Sequence, residues 1–200
     1  MSMDKKYFVA LGKFVHAYSR AEAALHFAFP DLAQIDLERS HIIKKESSAG
    51  ALTAMLKHLI RLGPLSEAEQ NDATSCLAQL EHITAFRNTT IHRGARSEED
   101  GFYQATNTAT MRNLESLEVT RFTLEDIEAA TDDLGRITLR LFNFVDKDDS
   151  AYDQQTLQYL HRPWRYRPVQ PHKPNSPPPK PKSPRTNKPP LPPPEASQAK

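Results

Sequence analysis

Apolar side chains recur every three or four residues along much of this chain, which is the spacing of an amphipathic helix. The first such stretch covers residues 4–28, and Pro30 is expected to end it because proline removes a helical hydrogen bond. The predicted inward face consists of Tyr7, Phe8, Leu11, Phe14, Val15, Tyr18, Ala21 and Leu25. The chain is therefore expected to begin with one long helix.

A second clear helix is predicted over residues 48–62, where Leu52, Leu56 and Ile60 fall on one side. Gly63 followed by Pro64 is a typical end signal for it. The residues before it are ambiguous and allow only a short helix from Ile35 to Ile43.

The third predicted helix begins at Ser66, where Ser66 and Glu69 have the spacing of a capping box. It continues to a stop at Gly94. Residues 102–122 alternate instead, which allows either a loop or a short β-hairpin.

A fourth clear helix is expected to start near Thr123, with Glu125 as the partner of its cap. The pattern as a whole predicts an all-α fold: a four- to five-helix bundle over residues 1–146, with the loop or hairpin as an insertion.

The composition changes near the C-terminus, because fourteen of the sixteen prolines lie between Pro163 and Pro194. From about His161 onward the sequence has no apolar periodicity and too few aliphatic residues to offset the entropy of ordering. We therefore expect residues 147–200 to form a disordered, proline-rich, basic tail. Its PxxP match, Pro168 to Pro171, indicates a semi-rigid spacer more than a ligand for an aromatic groove.

The net charge of +1 conceals two unlike parts. Residues 147–200 carry ten basic and four acidic residues, a net charge of +6, whereas residues 1–146 carry sixteen and twenty-one, a net charge of −5. An acidic domain counts against general nucleic-acid binding over its whole surface, and the tail is one source of the missing positive charge.

Several function classes find no support in the sequence. Cys76 is the only cysteine, no apolar run reaches membrane-spanning length, and no N-terminal leader is apparent, so a cytoplasmic protein with no membrane contact is expected. The scattered histidines give no zinc pattern, and no glycine-rich phosphate loop exists. We expect neither a metal nor a cofactor.

The third predicted helix carries the only constellation that suggests chemistry. At 100° per residue, Arg87 falls on the apolar side, and Glu81, Asn88 and His92 fall along its polar edge. An arginine in such a place needs an acid, a backbone acceptor or a phosphate. A purely structural alternative pairs Arg87 with an acid such as Glu22, while His92 caps carbonyl groups at the helix end.

The segment FRNTTIHRG, Phe86–Gly94, resembles the signature of the HEPN superfamily, and the strict pattern Arg-Asn-x-x-x-His occurs once in the chain. The resemblance implies a helical-bundle, metal-independent RNA endonuclease that acts as a homodimer, with two motif helices facing one cleft. It also implies a toxin of a toxin–antitoxin or defence system, with an antitoxin protein as a further partner.

The candidate roles follow from the chemistry of each group. His92 would transfer protons, because imidazole titrates near neutrality, and Arg87 would bind the phosphate as a planar cation with several donors. Asn88 would orient His92 or the phosphate. Glu81 is a candidate supporting residue for Arg87 or His92, and Arg93 is a weaker candidate RNA contact.

A second cluster, HRPWRYRP, combines basic and aromatic side chains at the start of the predicted tail. Its candidate RNA contacts are Arg162, Trp164, Arg165, Tyr166 and Arg167, because such side chains stack on single-stranded bases. The alternatives are a segment that packs on the domain and the start of a linker. The competing function for the whole chain is a non-catalytic HEPN-like dimerisation module that docks partners through its proline-rich tail.

Overall fold

The computed structural model of the chain describes residues 3–98, 100–146 and 152–171. It confirms a helical bundle with a small β insertion. The elements are α1 (Met3–Ala33), α2 (Leu37–Lys45), α3 (Ala49–Leu62), α4 (Glu67–His92), β1 (Arg96–Ser97), β2 (Tyr103–Thr106), β3 (Val119–Phe122), α5 (Leu124–Asp146) and α6 (Gln154–Leu160), with a 3₁₀ turn at Leu114–Ser116.

The core lies where α1, α4 and α5 meet, and α3 closes it on one side. Aromatic rings fill the end of the core nearest the sheet. The ring of Phe86 lies 5.7 Å from that of Phe14 and 5.3 Å from that of Phe122, and Tyr7 stacks on Tyr103 at 4.5 Å. The last turns of α4 are therefore anchored on a rigid aromatic cluster.

Pro30 does not end the first helix, as the sequence had suggested, because α1 continues to Ala33. A proline at this position cannot donate a hydrogen bond to the carbonyl group of His26, one turn earlier. The ammonium group of Lys44, in α2, donates to that carbonyl at 3.1 Å instead. A side chain from the next helix thus satisfies the acceptor that the proline leaves open.

Two residues of the predicted inward face of α1 point to solvent. Phe8 is 66% exposed and Val15 is 37% exposed, whereas Tyr7, Phe14 and Tyr18 are buried. Their place in the predicted stripe was wrong because α5 and α3, the helices that pack along α1, cover a narrower arc of it than the apolar pattern spans. α1 consequently presents apolar side chains on its outer surface.

The helix caps follow the sequence with one exception. Ser66 and Glu69 form the predicted capping box, and Gly94, with φ of +63°, lies just after α4 in a conformation that favours glycine. At the start of α5, however, the partner of Thr123 is Asp126, whose Oδ2 accepts from the Thr123 backbone N–H at 2.8 Å. Glu125 was the wrong partner because the capping-box position is the third residue of the helix, not the second.

The insertion after α4 forms a three-stranded antiparallel sheet in the order β1-β2-β3. Of the two structures allowed for residues 102–122, the hairpin is correct. Its register pairs Tyr103 with Phe122, and both side chains are buried against the aromatic end of the core. The sheet therefore covers the end of the bundle at which α4 finishes.

The C-terminal segment corrects the predicted domain boundary, because residues 152–171 pack against the bundle instead of belonging to a separate tail. Tyr166 is only 2% exposed, and α6 was not predicted. The carboxylate of Asp133 in α5 accepts hydrogen bonds from the backbone N–H groups of Arg165 at 3.0 Å and Tyr166 at 2.8 Å. The rest of the predicted tail, residues 147–151 and 172–200, lies outside the described residues.

Candidate functional site

The last two turns of α4 bring together the three residues of the sequence motif. The Nη1 atom of Arg87 donates to Asn88 Oδ1 at 3.1 Å and lies 3.0 Å from His92 Nε2. Arg87 and His92 are five residues apart, so the long arginine side chain spans more than one helical turn to reach the imidazole. A cation, an amide and an imidazole therefore converge on one point of the surface.

The contact between Arg87 and His92 limits where the imidazole can carry a proton. A guanidinium has only donors, so Nη1 must donate to the lone pair of His92 Nε2. This hydrogen bond requires Nε2 to be unprotonated. A neutral imidazole is the form that accepts a proton in general base catalysis.

The ring of Tyr18 in α1 packs against the guanidinium of Arg87. The Cζ atom of Arg87 lies 5.4 Å from the centre of the Tyr18 ring, a cation–π distance, and the Tyr18 hydroxyl is hydrogen-bonded to Thr84 Oγ1 at 3.1 Å. Burial raises the pKa of Tyr18, so its hydroxyl remains neutral near pH 7. The first helix thus fixes one face of the arginine and leaves its donors directed along the surface.

No carboxylate of the described residues forms an ion pair with Arg87. The pairing with Glu22, the structural alternative raised by the sequence, is not present. Arg87 is half-buried, less than its place in the apolar arc suggested, and Asn88 and His92 are exposed. The positive charge is therefore left without a neutralising partner at a place that a phosphate can reach.

Glu81 does not support this cluster. Its carboxylate forms an ion pair with Lys57 of α3, nearly two turns before Arg87 along α4. Helical spacing places Glu81 on the correct side of α4. It does not show that α3 has a lysine at that position, so the expectation for Glu81 was wrong.

Arg93, the weaker candidate beside the motif, is also engaged elsewhere. Its Nη1 atom lies 3.5 Å from a carboxylate oxygen of Glu118, in the loop before β3. The side chains are partly exposed, so this pair leaves Arg93 near the site but with its charge largely balanced.

The aromatic members of the second cluster are unavailable for base stacking. Tyr166 is buried, and the indole of Trp164 donates to Ser75 Oγ at 3.1 Å while stacking on the guanidinium of Arg136 at 4.4 Å. Of the alternatives for this segment, packing on the domain is therefore correct. Three arginines remain exposed on its outer side, namely Arg162, Arg165 and Arg167, with Arg165 3.6 Å from Asp132.

Sequence reasoning missed Tyr18 and Thr84 as neighbours of the motif. Tyr18 lies in the apolar stripe of α1, and from the sequence alone it cannot be distinguished from an ordinary core residue. The polar hydroxyl at its tip was the one signal, since a buried tyrosine normally needs a hydrogen-bond partner.

Within the part of the chain that the structure describes, none of the helices combines the length and the apolar character required to cross a membrane. No group of three or more His, Cys, Asp or Glu side chains among these residues is placed to hold a metal ion.

Comparisons of the chain with protein-family models, with curated proteins and with solved structures found no match. A function for the chain must therefore be argued from the site itself.

Proposed function

We propose that this chain is a metal-independent RNA endonuclease of the HEPN type, in which Arg87 and His92 are the reacting groups. The observation that carries the proposal is the 3.0 Å contact between Arg87 Nη1 and His92 Nε2 on an exposed helix end. A guanidinium without a carboxylate partner, next to an imidazole nitrogen that can accept a proton, suits a substrate in which an anionic phosphodiester lies beside a hydroxyl that must lose its proton.

The proposed reaction begins when a phosphodiester takes the hydrogen bonds of Arg87 and releases His92 Nε2. The freed Nε2 accepts the proton of the ribose 2′-hydroxyl, and the 2′ oxygen attacks the phosphorus. The bond from phosphorus to the 5′ oxygen then breaks, leaving a 2′,3′-cyclic phosphate. The departing 5′ oxygen takes up a proton and becomes a hydroxyl.

Arg87 stabilises the transition state in this scheme. Negative charge grows on the phosphoryl oxygens as the 2′ oxygen attacks, and a planar guanidinium donates two parallel hydrogen bonds to such oxygens. Asn88 Oδ1 holds one of the Nη1 hydrogens at 3.1 Å, which fixes the orientation of the fork before the substrate arrives.

A homodimer completes the chemistry, because the reaction needs one group that accepts a proton and one that donates it. Each chain supplies one motif histidine, so a second copy would supply the other. Phe8 and Val15 support this assembly: they are exposed and lie on the side of α1 next to Tyr18, which contacts Arg87. Apolar side chains around a polar site are typical of a surface that a partner covers.

The direct test is cleavage of single-stranded RNA by purified protein in excess EDTA. We expect the wild type to cleave and the variants His92→Ala and Arg87→Ala each to lose at least about a hundredfold in rate. His82→Ala is the matched control, since His82 is an exposed histidine earlier on the same helix. Wild-type protein that does not cleave, or variants that cleave normally, would overturn the proposal.

The biological role that we propose is that of a toxin, in the cytoplasm, neutralised by an antitoxin protein that covers the exposed motif. Expression of the wild type should arrest growth, and Arg87→Ala should relieve the arrest because the phosphate-binding cation is gone. Equal arrest by both proteins would argue against RNA cleavage as its cause.

The exposed Phe8 and Val15 also favour a second candidate function, a non-catalytic dimerisation module. It predicts a dimer by solution mass measurement that dissociates on Phe8→Glu and has no ribonuclease activity. The cleavage assay therefore separates the two candidates even when both dimerise.

A further inference from the structure

The outer surface of α1 carries a row of cations that the reaction above does not use. Lys6, Lys13 and Arg20 follow one another at intervals of seven residues, and we call these three the basic stripe. Residues 5–21 contain four basic residues and no acid, although residues 1–146 as a whole have a net charge of −5. The first helix thus carries a locally basic stretch in a domain that is acidic as a whole.

The stripe is straight and open. Seven residues are close to two helical turns, so successive members lie nearly above one another at a rise of about 10.5 Å. All three side chains are exposed, and none forms an ion pair with a described residue. Their charges therefore face solvent without local compensation.

At its far end the stripe meets the packed C-terminal segment. A shallow groove of about 190 Å³ between α1 and α5 is lined by Arg20 and Tyr159, among others. The guanidinium of Arg162 lies 6.0 Å from the centre of the Tyr159 ring. Gly135 lets Tyr159 pack close to α5, because a Cβ there would lie 3.2 Å from the Tyr159 hydroxyl. Tyr159 thus lies beside both Arg20 and Arg162.

The stripe and the motif border the same exposed surface. Arg20 follows Tyr18 by two residues, which is about 200° around α1, and Tyr18 contacts Arg87. Ser19 and His16 are exposed on the side of α1 between them, and the dimer contact proposed at Phe8 and Val15 lies nearer the start of the helix. A polymer that lies on the stripe can therefore cross α1 to reach Arg87, a path of about 20 Å around a helix of this diameter.

We propose that the basic stripe, with Arg162, binds the phosphate backbone of single-stranded RNA and guides it to the motif. This inference rests on the proposed ribonuclease function. Cations at a regular interval suit a polymer with regularly repeated anions. An anionic membrane fits less well, because Val9 and Phe27, the exposed apolar residues beside the stripe, lie about 27 Å apart along α1, and Phe8 and Val15 belong to the surface proposed to contact the second copy.

The test measures binding separately from cleavage, by fluorescence anisotropy of a labelled single-stranded RNA with the full chain carrying His92→Ala. In that background, Lys6→Ala, Lys13→Ala and Arg20→Ala are combined. The matched control combines Arg39→Ala, Lys45→Ala and Arg61→Ala, which remove three exposed cations from α2 and α3.

We expect the stripe variant to bind RNA at least about tenfold more weakly, with the slope of log Kd against log salt reduced by about 2 for three lost phosphate contacts. The control should bind within about twofold of the parent protein. Equal loss in both variants, or no loss in the stripe variant, would overturn the inference. So would lost binding to phosphatidylserine vesicles with RNA binding unchanged, since it would assign the stripe to a membrane.

Failure of this inference can be told apart from failure of the proposed function. Stripe-dependent RNA binding by a wild type that does not cleave would retain the inference and remove the nuclease. Cleavage by the wild type, with RNA binding that does not depend on the stripe, would retain the nuclease and remove the inference.

Discussion

The ring of Tyr166 stacks on the ring of Phe86, with centroids 4.9 Å apart and planes inclined by 29°. Phe86 is the residue before Arg87, so the C-terminal segment touches the motif helix next to its proposed reacting group. Gln79, earlier on the same helix, donates both to the Tyr166 carbonyl at 3.1 Å and to Asp133 at 2.8 Å. The segment that follows α5 is consequently part of what positions α4.

Replacing Tyr166 with alanine should lower the free energy of unfolding by about 3–5 kcal/mol, because it empties a buried aromatic site next to Phe86. The measurement is urea denaturation followed by circular dichroism. Tyr166→Phe keeps the stacking and should cost less than about 1.5 kcal/mol. If Tyr166→Ala were as stable as the wild type, the packing of this segment would be wrong.

The buried pair formed by Asp133 and Arg136 should be the most sensitive polar site. Asp133 is 0% exposed and Arg136 is 1% exposed, and the arginine also donates to the Pro163 carbonyl at 2.9 Å. Asp133→Ala leaves the buried Arg136 without its carboxylate partner and leaves two backbone N–H donors unpaired, which should cost about 3–5 kcal/mol in the same denaturation measurement. Asp132→Ala, at a half-buried neighbour, should cost no more than about 1 kcal/mol.

The protein should lose stability at alkaline pH. Burial raises the pKa of Cys76 from 9.0 to about 12 and that of Tyr159 from 10.0 to about 12, and it raises that of Tyr166 as well. Each group releases its proton more readily in the unfolded chain. The free energy of unfolding therefore falls as the pH rises above about 9. Stability should be constant near pH 8 and fall towards pH 12.

Urea titrations at several pH values measure this loss of stability. Tyr166→Phe should make the free energy of unfolding fall less steeply with pH, because it removes one tyrosine whose pKa is raised. A midpoint that does not change between pH 8 and pH 11 would show that these groups are not buried as described.

Four of the helices, α1, α3, α4 and α5, were predictable because each has a local signal. The Ser66 capping box, the Gly63-Pro64 stop and the three- and four-residue apolar spacing all act within one or two turns. The path of α1 through Pro30 was not predictable, since it depends on Lys44 from another helix. The packing of residues 152–171 was also hidden, because Trp164 and Tyr166 occur among prolines with no helical or strand pattern to mark them as buried.

The candidate site was predictable where its residues belong to one helix. Asn88 and His92 are four residues apart on one helix, so their proximity follows from helical geometry, and the length of the arginine side chain brings Arg87 to them. The partners of Glu81 and Arg93 come from α3 and from the loop before β3, and no spacing within α4 identifies them. The contribution of Tyr18 likewise required knowledge of how α1 packs on α4.

Asn88→Ala should reduce the rate of RNA cleavage about tenfold to a hundredfold while changing KM less than about threefold. The reason is that Asn88 holds Arg87 Nη1 and does not itself carry charge to the phosphate, and a misplaced reacting group lowers the rate of the chemical step. Steady-state kinetics with a fluorogenic RNA measures both constants. A change confined to KM would assign Asn88 to substrate binding instead of positioning.

The central claim is that Arg87 and His92 act on an RNA phosphodiester through the ribose 2′-hydroxyl. Mass spectrometry of the products formed in excess EDTA tests it most directly, using an RNA and its copy with 2′-deoxyribose throughout. We predict fragments that end in a 2′,3′-cyclic phosphate from the RNA alone, and none with the variant that combines Arg87→Ala and His92→Ala. Intact RNA, or cleavage of the deoxyribose copy as well, would contradict the claim.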